Sequence, residues 1–142
     1  MSLPRVFSHC LRRIFPERSL GERGERAAVR YLRWRGHKII TRGDRSKWGE
    51  LDVIAVDGRT IVFVEVKTRE TDEQGHPAEA VDLAKQRRLS RLAVNYLKRH
   101  RLLEYAARFD VVAVTWPKGK WFPKIEHFKN AFEPVGVKGF FS

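Results

Sequence analysis

Residues 49–69, GELDVIAVDGRTIVFVEVKTR, constrain the fold more than any other stretch of this chain. Two runs of aliphatic and β-branched residues flank an Asp57-Gly58 turn signal, which predicts a β-hairpin with strands over about 50–56 and 61–67. The second run, IVFVEVK, is apolar on both of its alternating faces, as in a strand covered on both sides. Both strands nevertheless carry charge where such a sheet is normally apolar. Glu50 and Asp52 lie on the first, Glu65 and Lys67 on the second.

The rest of the chain supplies the covering layers. Ser19-Leu20-Gly21-Glu22 has the form of a capping box, Ala28, Tyr31 and Leu32 follow at helical spacing, and Gly36 supplies a stop. HKIITR (37–42) reads as a strand and GDRSKWG (43–49) as the loop into the hairpin. TDEQGHP (71–77) reads as a mobile loop. A second helix is predicted from Asp82 to His100, its buried stripe formed by Leu89, Leu92, Ala93, Tyr96 and Leu97. RFDVVAVT (108–115) is a fourth strand, KIEHF (124–128) a short fifth, and Pro134, Gly136 and Gly139 predict an irregular C-terminus. A helical crossover allows the fourth strand to lie parallel to the third. The fold class is therefore α/β, a small mixed twisted sheet flanked by helices.

At 142 residues the chain suits one domain, placed at 19–142. Residues 1–18 read as a mobile basic tail, with no acid before Glu17 and no apolar stretch of a secretory signal. No apolar run approaches the roughly 18 residues needed to span a bilayer, so no membrane partner is expected. The single cysteine, Cys10, excludes an internal disulfide and fits a reducing compartment, the cytoplasm.

Net charge points to a partner. The formal charge is +12, with 13 basic and 4 acidic residues in 1–48, and 7 basic and no acidic residues in 85–101. Concentrated positive charge favours polyanions, because each neutralised phosphate releases condensed counterions. Acidic lipid and simple solubility are the alternatives, but no apolar anchor accompanies the charge. Nucleic acid, DNA first, is the expected partner. Arg42, Arg45, Lys47, Arg69, Lys85, Arg87 and Arg88 are the basic residues expected to meet it.

Hairpin geometry decides what the charges can do. Glu50, Asp52, Ile54 and Val56 share one strand face, and Ile61, Phe63, Glu65 and Lys67 share one. A loop of two residues at the Asp57-Gly58 signal sets Asp52 opposite Phe63 and diagonal to Glu65, whereas four set it directly opposite Glu65. Three would separate the faces unless a bulge restored the register. Two close carboxylates repel, and a cation between them removes the conflict. Hard oxygen ligands suit Mg²⁺ or Mn²⁺, with Lys67 placed to orient or deprotonate a water or to steady charge on a phosphate. The plain alternative is a solvated Glu65–Lys67 pair.

Glu25 lies three and seven residues before Ala28 and Leu32, on the apolar side of the first helix, where it wants a partner or rests at the amphipathic edge. Gln86 and Lys85 open the second helix, where they are either simple surface residues or contacts to phosphate and the metal shell. The histidines at 9, 37, 76, 100 and 127 lack metal-ligand spacing and read as loop or surface residues. Trp34, Trp48, Trp116 and Trp121 suit base stacking if exposed, with core packing expected for at least half of them.

The motifs GERAAxxYLxxxG, GELDVIA, VFVEVKTR, AVDxxKQRRL and RFDVVAV, spread over about residues 20–132, resemble the bacterial YraN family. That family is largely uncharacterised and similar to Holliday-junction resolvases, within the restriction-endonuclease-like superfamily whose motif is an acid followed at a distance by E-x-K. The resemblance implies an αβββαβ core. It also implies that Asp52 and Glu65 bind the metal, that Lys67 assists catalysis, and that Glu25 is the acid contributed by the first helix to the same site. Glu50 matches the G-E-x-D motif and Gln86 falls in AVDxxKQRRL, both as candidate accessory residues, while Gly43 departs from the Asn often found at its position.

The function expected is a metal-dependent endonuclease acting on DNA, on branched or single-stranded structures. Cutting two symmetric strands would favour a homodimer. The alternatives are a nucleic-acid-binding module that keeps the fold without turnover, and a structural protein using the fold for protein contacts.

Overall fold

The computed structural model describes residues 18–71, 73 and 81–137. Most of the tail expected at 1–18, most of the loop at 71–77, Cys10, His9, His76 and the last five residues lie outside them. Helix α1 (Leu20–Trp34) is followed by β1 (Lys38–Ser46), β2 (Gly49–Asp57), β3 (Thr60–Arg69), α2 (Leu83–Arg99), β4 (Ala107–Thr115) and β5 (Lys124–Phe132). The strands form one sheet in the order β1-β2-β3-β4-β5, antiparallel except for the parallel β3–β4 pair. The expected αβββαβ order is present, with β5 added at the edge. Among the described residues no helix is long and apolar enough to cross a membrane.

Each helix starts where its cap lies. Ser19 accepts from Glu22 N at 3.2 Å to open α1, and Asp82 accepts from Lys85 N at 2.8 Å to open α2. The two apolar stripes then cover opposite faces of the sheet. Leu89, Leu92, Ala93, Tyr96 and Leu97 of α2 pack on Ile54, Ile61, Phe63, Phe109 and Val111. Ala28 and Leu32 of α1 pack on Val53, Val62, Val64, Val112 and Val114. Because β3 is covered on both sides, any charge on it is withdrawn from water unless it lies near an end. The approach of α1 is tight at Gly24, where a Cβ would meet Thr68 Oγ1 at 1.9 Å. Only glycine fits there.

Three boundaries differ from the expectation. GDRS is strand, not loop, because these residues pair with β2 through Asp44↔Leu51, Arg45↔Glu50 and Ser46↔Gly49. Tertiary pairing overrides their turn-like composition, with Asp44 held at 3.0 Å by Arg99 of α2. The β2–β3 turn sits one residue later than Asp57-Gly58, since Asp57 pairs with Thr60. Gly58, at φ 62°, occupies the first central position, where type II′ turns place glycine. The fifth strand is nine residues long and runs to Phe132, whose ring stacks on Phe109 at 4.7 Å.

Two histidines expected at the surface are buried instead. Asp110, fully buried on β4, receives Arg108 Nε at 2.9 Å and Asn130 N at 2.9 Å and lies 2.8 Å from His127 Nε2. Tyr31 on α1 reaches the other ring nitrogen of His127 at 3.4 Å, and Arg108 also bonds Asp57 at 2.8 Å. Burial alone would raise the Asp110 carboxyl, but these bonds outweigh it and hold it below its usual range. This network ties β5 to the sheet and to α1. His37 packs beside it, and burial lowers its pKa.

Candidate active site

The hairpin ladder stops short. Its register runs from Asp57↔Thr60 to Val53↔Val64, whereas β3 stays paired with β4 as far as Arg69↔Thr115. Beyond Val53 the carboxylate of Asp52 accepts the Val66 N–H at 2.9 Å. A side chain thus ends the ladder, and β2 diverges toward β1 from that point. Strand alternation would put Leu51 with Val53, yet Leu51 packs in the α2-side core, as expected where a strand turns over on leaving its neighbour. The result is a notch between β2 and β3, roofed by the first turn of α2.

Four of the predicted residues meet in that notch. Continuing the register sets Asp52 opposite Glu65, the pairing a four-residue loop was expected to give. The two-residue turn reaches it because it lies one position later. Glu65 is buried, at 8% exposure, and its Oε1 lies 3.8 Å from Lys67 Nζ. The solvated-pair alternative for Glu65 and Lys67 does not fit that burial. Lys85, from the capped first turn of α2, bonds the same oxygen of Glu65.

These contacts set the protonation states. Burial and then the charge of Glu65 push the Asp52 carboxyl up to about 7, against the opposing Val66 N–H bond. Burial, and then the neighbouring Lys85, lower the Lys67 ammonium. Burial also disfavours the Lys85 charge, but its bonds to Glu65 and Lys67 and the charges of Glu65 and Asp52 outweigh it and raise it. The same crowded carboxylate thus shifts the two ammonium groups in opposite directions, Lys67 down and Lys85 up.

Other predicted residues lie outside the notch. Glu25 sits at the helix edge with Arg42 Nε at 3.6 Å. Among the described residues no group of three or more His, Cys, Asp or Glu is placed to hold a metal ion, so Glu25 does not join Asp52 and Glu65 in this arrangement. Glu50 points to Arg45 at 3.3 Å, across the β1–β2 pair. Gln86 spends its amide nitrogen on the Val81 carbonyl at 2.9 Å. Lys47 lies 4.9 Å over the Trp48 ring, Arg69 is half-buried with its carbonyl bonded by Trp116 N, and Arg87 and Arg88 are exposed on α2. Trp34, Trp48 and Trp121 are exposed rather than packed, because each sits at a helix end or a turn beyond the two cores.

Comparison with known sequences places the whole site inside one family. The profile described as "Uncharacterised protein family UPF0102" matches residues 24–114. A UPF0102 protein of Rhodopirellula baltica is 49% identical over 125 residues, covering 86% of this chain and 75% of that protein. Those of Geotalea uraniireducens and Geobacter metallireducens are 50% and 48% identical over 116 residues, covering 82% of this chain and 91% and 93% of theirs. Asp52, Glu65, Lys67 and Lys85 all fall within the matched segment.

Proposed function

We propose that this chain, which belongs to the UPF0102 family, is a divalent-metal-dependent endonuclease that hydrolyses phosphodiester bonds in DNA. The observation that carries the reading is the pairing of Asp52 with buried Glu65 where β2 leaves β3, with two lysines on the same carboxylate oxygen. A carboxyl held near pH 7 by burial and a like charge is a site short of positive charge. The donor set therefore fits Mg²⁺ or Mn²⁺, which prefer carboxylate oxygens and keep positions for water and substrate. Asp52 and Glu65 would hold it, and Glu25 would join only after releasing Arg42.

When bound, the cation would polarise the scissile phosphate and the attacking water. The chain's own residues do the rest. Lys67, whose ammonium form is disfavoured by burial and by Lys85, orients the water and, as the neutral amine, takes its proton at Nζ. Lys85 leaves Glu65 for a phosphate oxygen and neutralises charge as the P–O bond breaks. The basic residues around the notch draw DNA in. A two-fold pair of chains would serve two-strand cleavage, and the cytoplasm suits the single cysteine.

Lys85 also favours a second reading, a nucleic-acid-binding module without turnover, because its ammonium already neutralises Glu65. A cleavage panel decides: duplex, single-stranded, flap and four-way DNA, each with Mg²⁺, Mn²⁺ or chelator. Metal-dependent cutting that is lost in Asp52→Asn and Glu65→Gln supports the enzyme. Cutting that survives both changes, or no cutting of any substrate, overturns it.

A further inference from the structure

Beside the notch, Trp48 stands in the β1–β2 turn with 57% of its surface exposed. Its indole is a shared wall of two recesses. One, of about 460 Å³, runs along α2 by Leu92 and Asn95. The other, of about 320 Å³, is lined by Ala84, Arg87, Arg88 and Arg91. Those four positions follow helical i, i+3, i+4, i+7 spacing, so one stripe of α2 lines the recess beside the ring with three arginines. Among the described residues none of the three forms an ion pair with an acid. Lys47 adds a fourth cation 4.9 Å over the ring. An exposed indole with one cation over it and three arginines lining the same recess, none of them paired with an acid among the described residues, matches one ligand chemistry: a flat aromatic base with phosphates on either side.

The stripe is continuous with the notch, since Ala84 and Arg88 flank Lys85 on the same helix. Trp48 precedes Asp52 by four residues of β2, about 13 Å at the rise of a strand. At about 3.4 Å per nucleotide that is about four nucleotides along a strand. Within a duplex both faces of every base are covered by neighbours, so the indole has nothing to stack on. An unpaired base offers a free face.

We infer that Trp48 is a stacking platform for an unpaired base, and that the substrate is DNA with single-stranded character within about four nucleotides of the scissile phosphate. The inference rests on the endonuclease reading for the position of that phosphate, but its test reads binding alone. Affinity for a short oligothymidylate and for a duplex of equal length is measured in chelator by fluorescence anisotropy. Trp48→Ala should weaken oligothymidylate binding about tenfold and duplex binding by less than about twofold, while Trp48→Phe stays close to wild type.

Intrinsic fluorescence gives a second readout in a conservative variant. Oligothymidylate should quench the wild-type emission, and in Trp48→Phe that quenching should be lost from the remaining three tryptophans. Equal losses on the two DNAs, no loss on either, or quenching that persists in Trp48→Phe would overturn the platform. Wild-type cleavage in Mn²⁺ separates the two ideas. Cleavage with Trp48 irrelevant to binding sinks the platform alone, and selective stacking without any cleavage sinks the endonuclease, and with it the distance to a scissile phosphate, while the stacking platform stands.

Discussion

Replacing Asp52 by Asn should stabilise the metal-free protein in neutral and alkaline solution and leave it nearly unchanged in acid. The folded chain holds the Asp52 proton up to about 7, against 3.8 for the unperturbed group. Below the unfolded value the group is protonated in both states and has no effect. As pH rises from there through about 7, the folded state surrenders a proton it favours, and stability falls; above about 7 the loss is complete. A rise of about three pK units corresponds to about 4 kcal/mol. That is a ceiling, because water entering the notch and adjustment of Lys67 and Lys85 screen the charge, and a gain of about 1–2 kcal/mol is expected. Asn keeps an acceptor for Val66 N and turns an N–H toward Glu65, so no bond is lost.

Urea denaturation of both proteins in chelator, near pH 4, 6 and 8.5, reads the effect directly. The difference should be small near pH 4 and reach its full value near pH 8.5. Adding Mn²⁺ near pH 8.5 should then stabilise the wild type and leave the variant unmoved, since a ligand of the native state shifts unfolding by mass action. A variant less stable than wild type near pH 8.5, or a difference independent of pH, would refute the like-charge account of the notch.

Lys67→Ala should lower any cleavage rate by at least about a hundredfold, on the scale of one preorganised electrostatic contact, while single-turnover assays show DNA affinity little changed. Its Mn²⁺ affinity should hold or rise, because an ammonium is removed from the Glu65 carboxylate, and calorimetry would show this. DNA affinity should fall steeply with salt, with a log–log slope of several units; a flat titration would remove nucleic acid as the partner. Asp110→Asn should cost about 3 kcal/mol near neutral pH by removing the buried charge that Arg108 and His127 share, measured by urea denaturation. Because the Asp110 carboxyl is held low, that deficit should shrink as pH falls below the unfolded value of 3.8.

The apolar alternation of the hairpin and the helical stripes of Leu89 to Leu97 are local signals, and the folded elements follow them. The charges on β2 and β3 were equally legible, because nothing but a polar task places Glu65 inside IVFVEVK. The position of the turn was not. Asp57-Gly58 is the stronger turn dipeptide, but Asp57 is held in the ladder by Thr60 and by Arg108 from a strand fifty residues away, which no local pattern encodes. The same limit hid the Asp110–His127 pair and left Lys85 open between a surface residue and a site contact. Each depends on which strand or helix end arrives opposite, and His127 on an edge strand or Lys85 in a first turn looks like ordinary surface until that partner is known. The exposure of Trp48 escaped for a related reason. Its turn closes a strand pair whose second half reads as loop.

The turn at Gly58-Arg59 touches nothing in the notch, yet its length fixes which β3 residue stands opposite Asp52. A one-residue insertion or deletion there would carry Glu65 and Lys67 to the other face of the sheet, under α1. Substitution and length change should therefore have separate fates as such sequences drift. Arg59 is free to vary, Gly58 much less so because of its positive φ. The spacing between Asp52 and Glu65 should stay at thirteen residues or change only by steps that preserve parity.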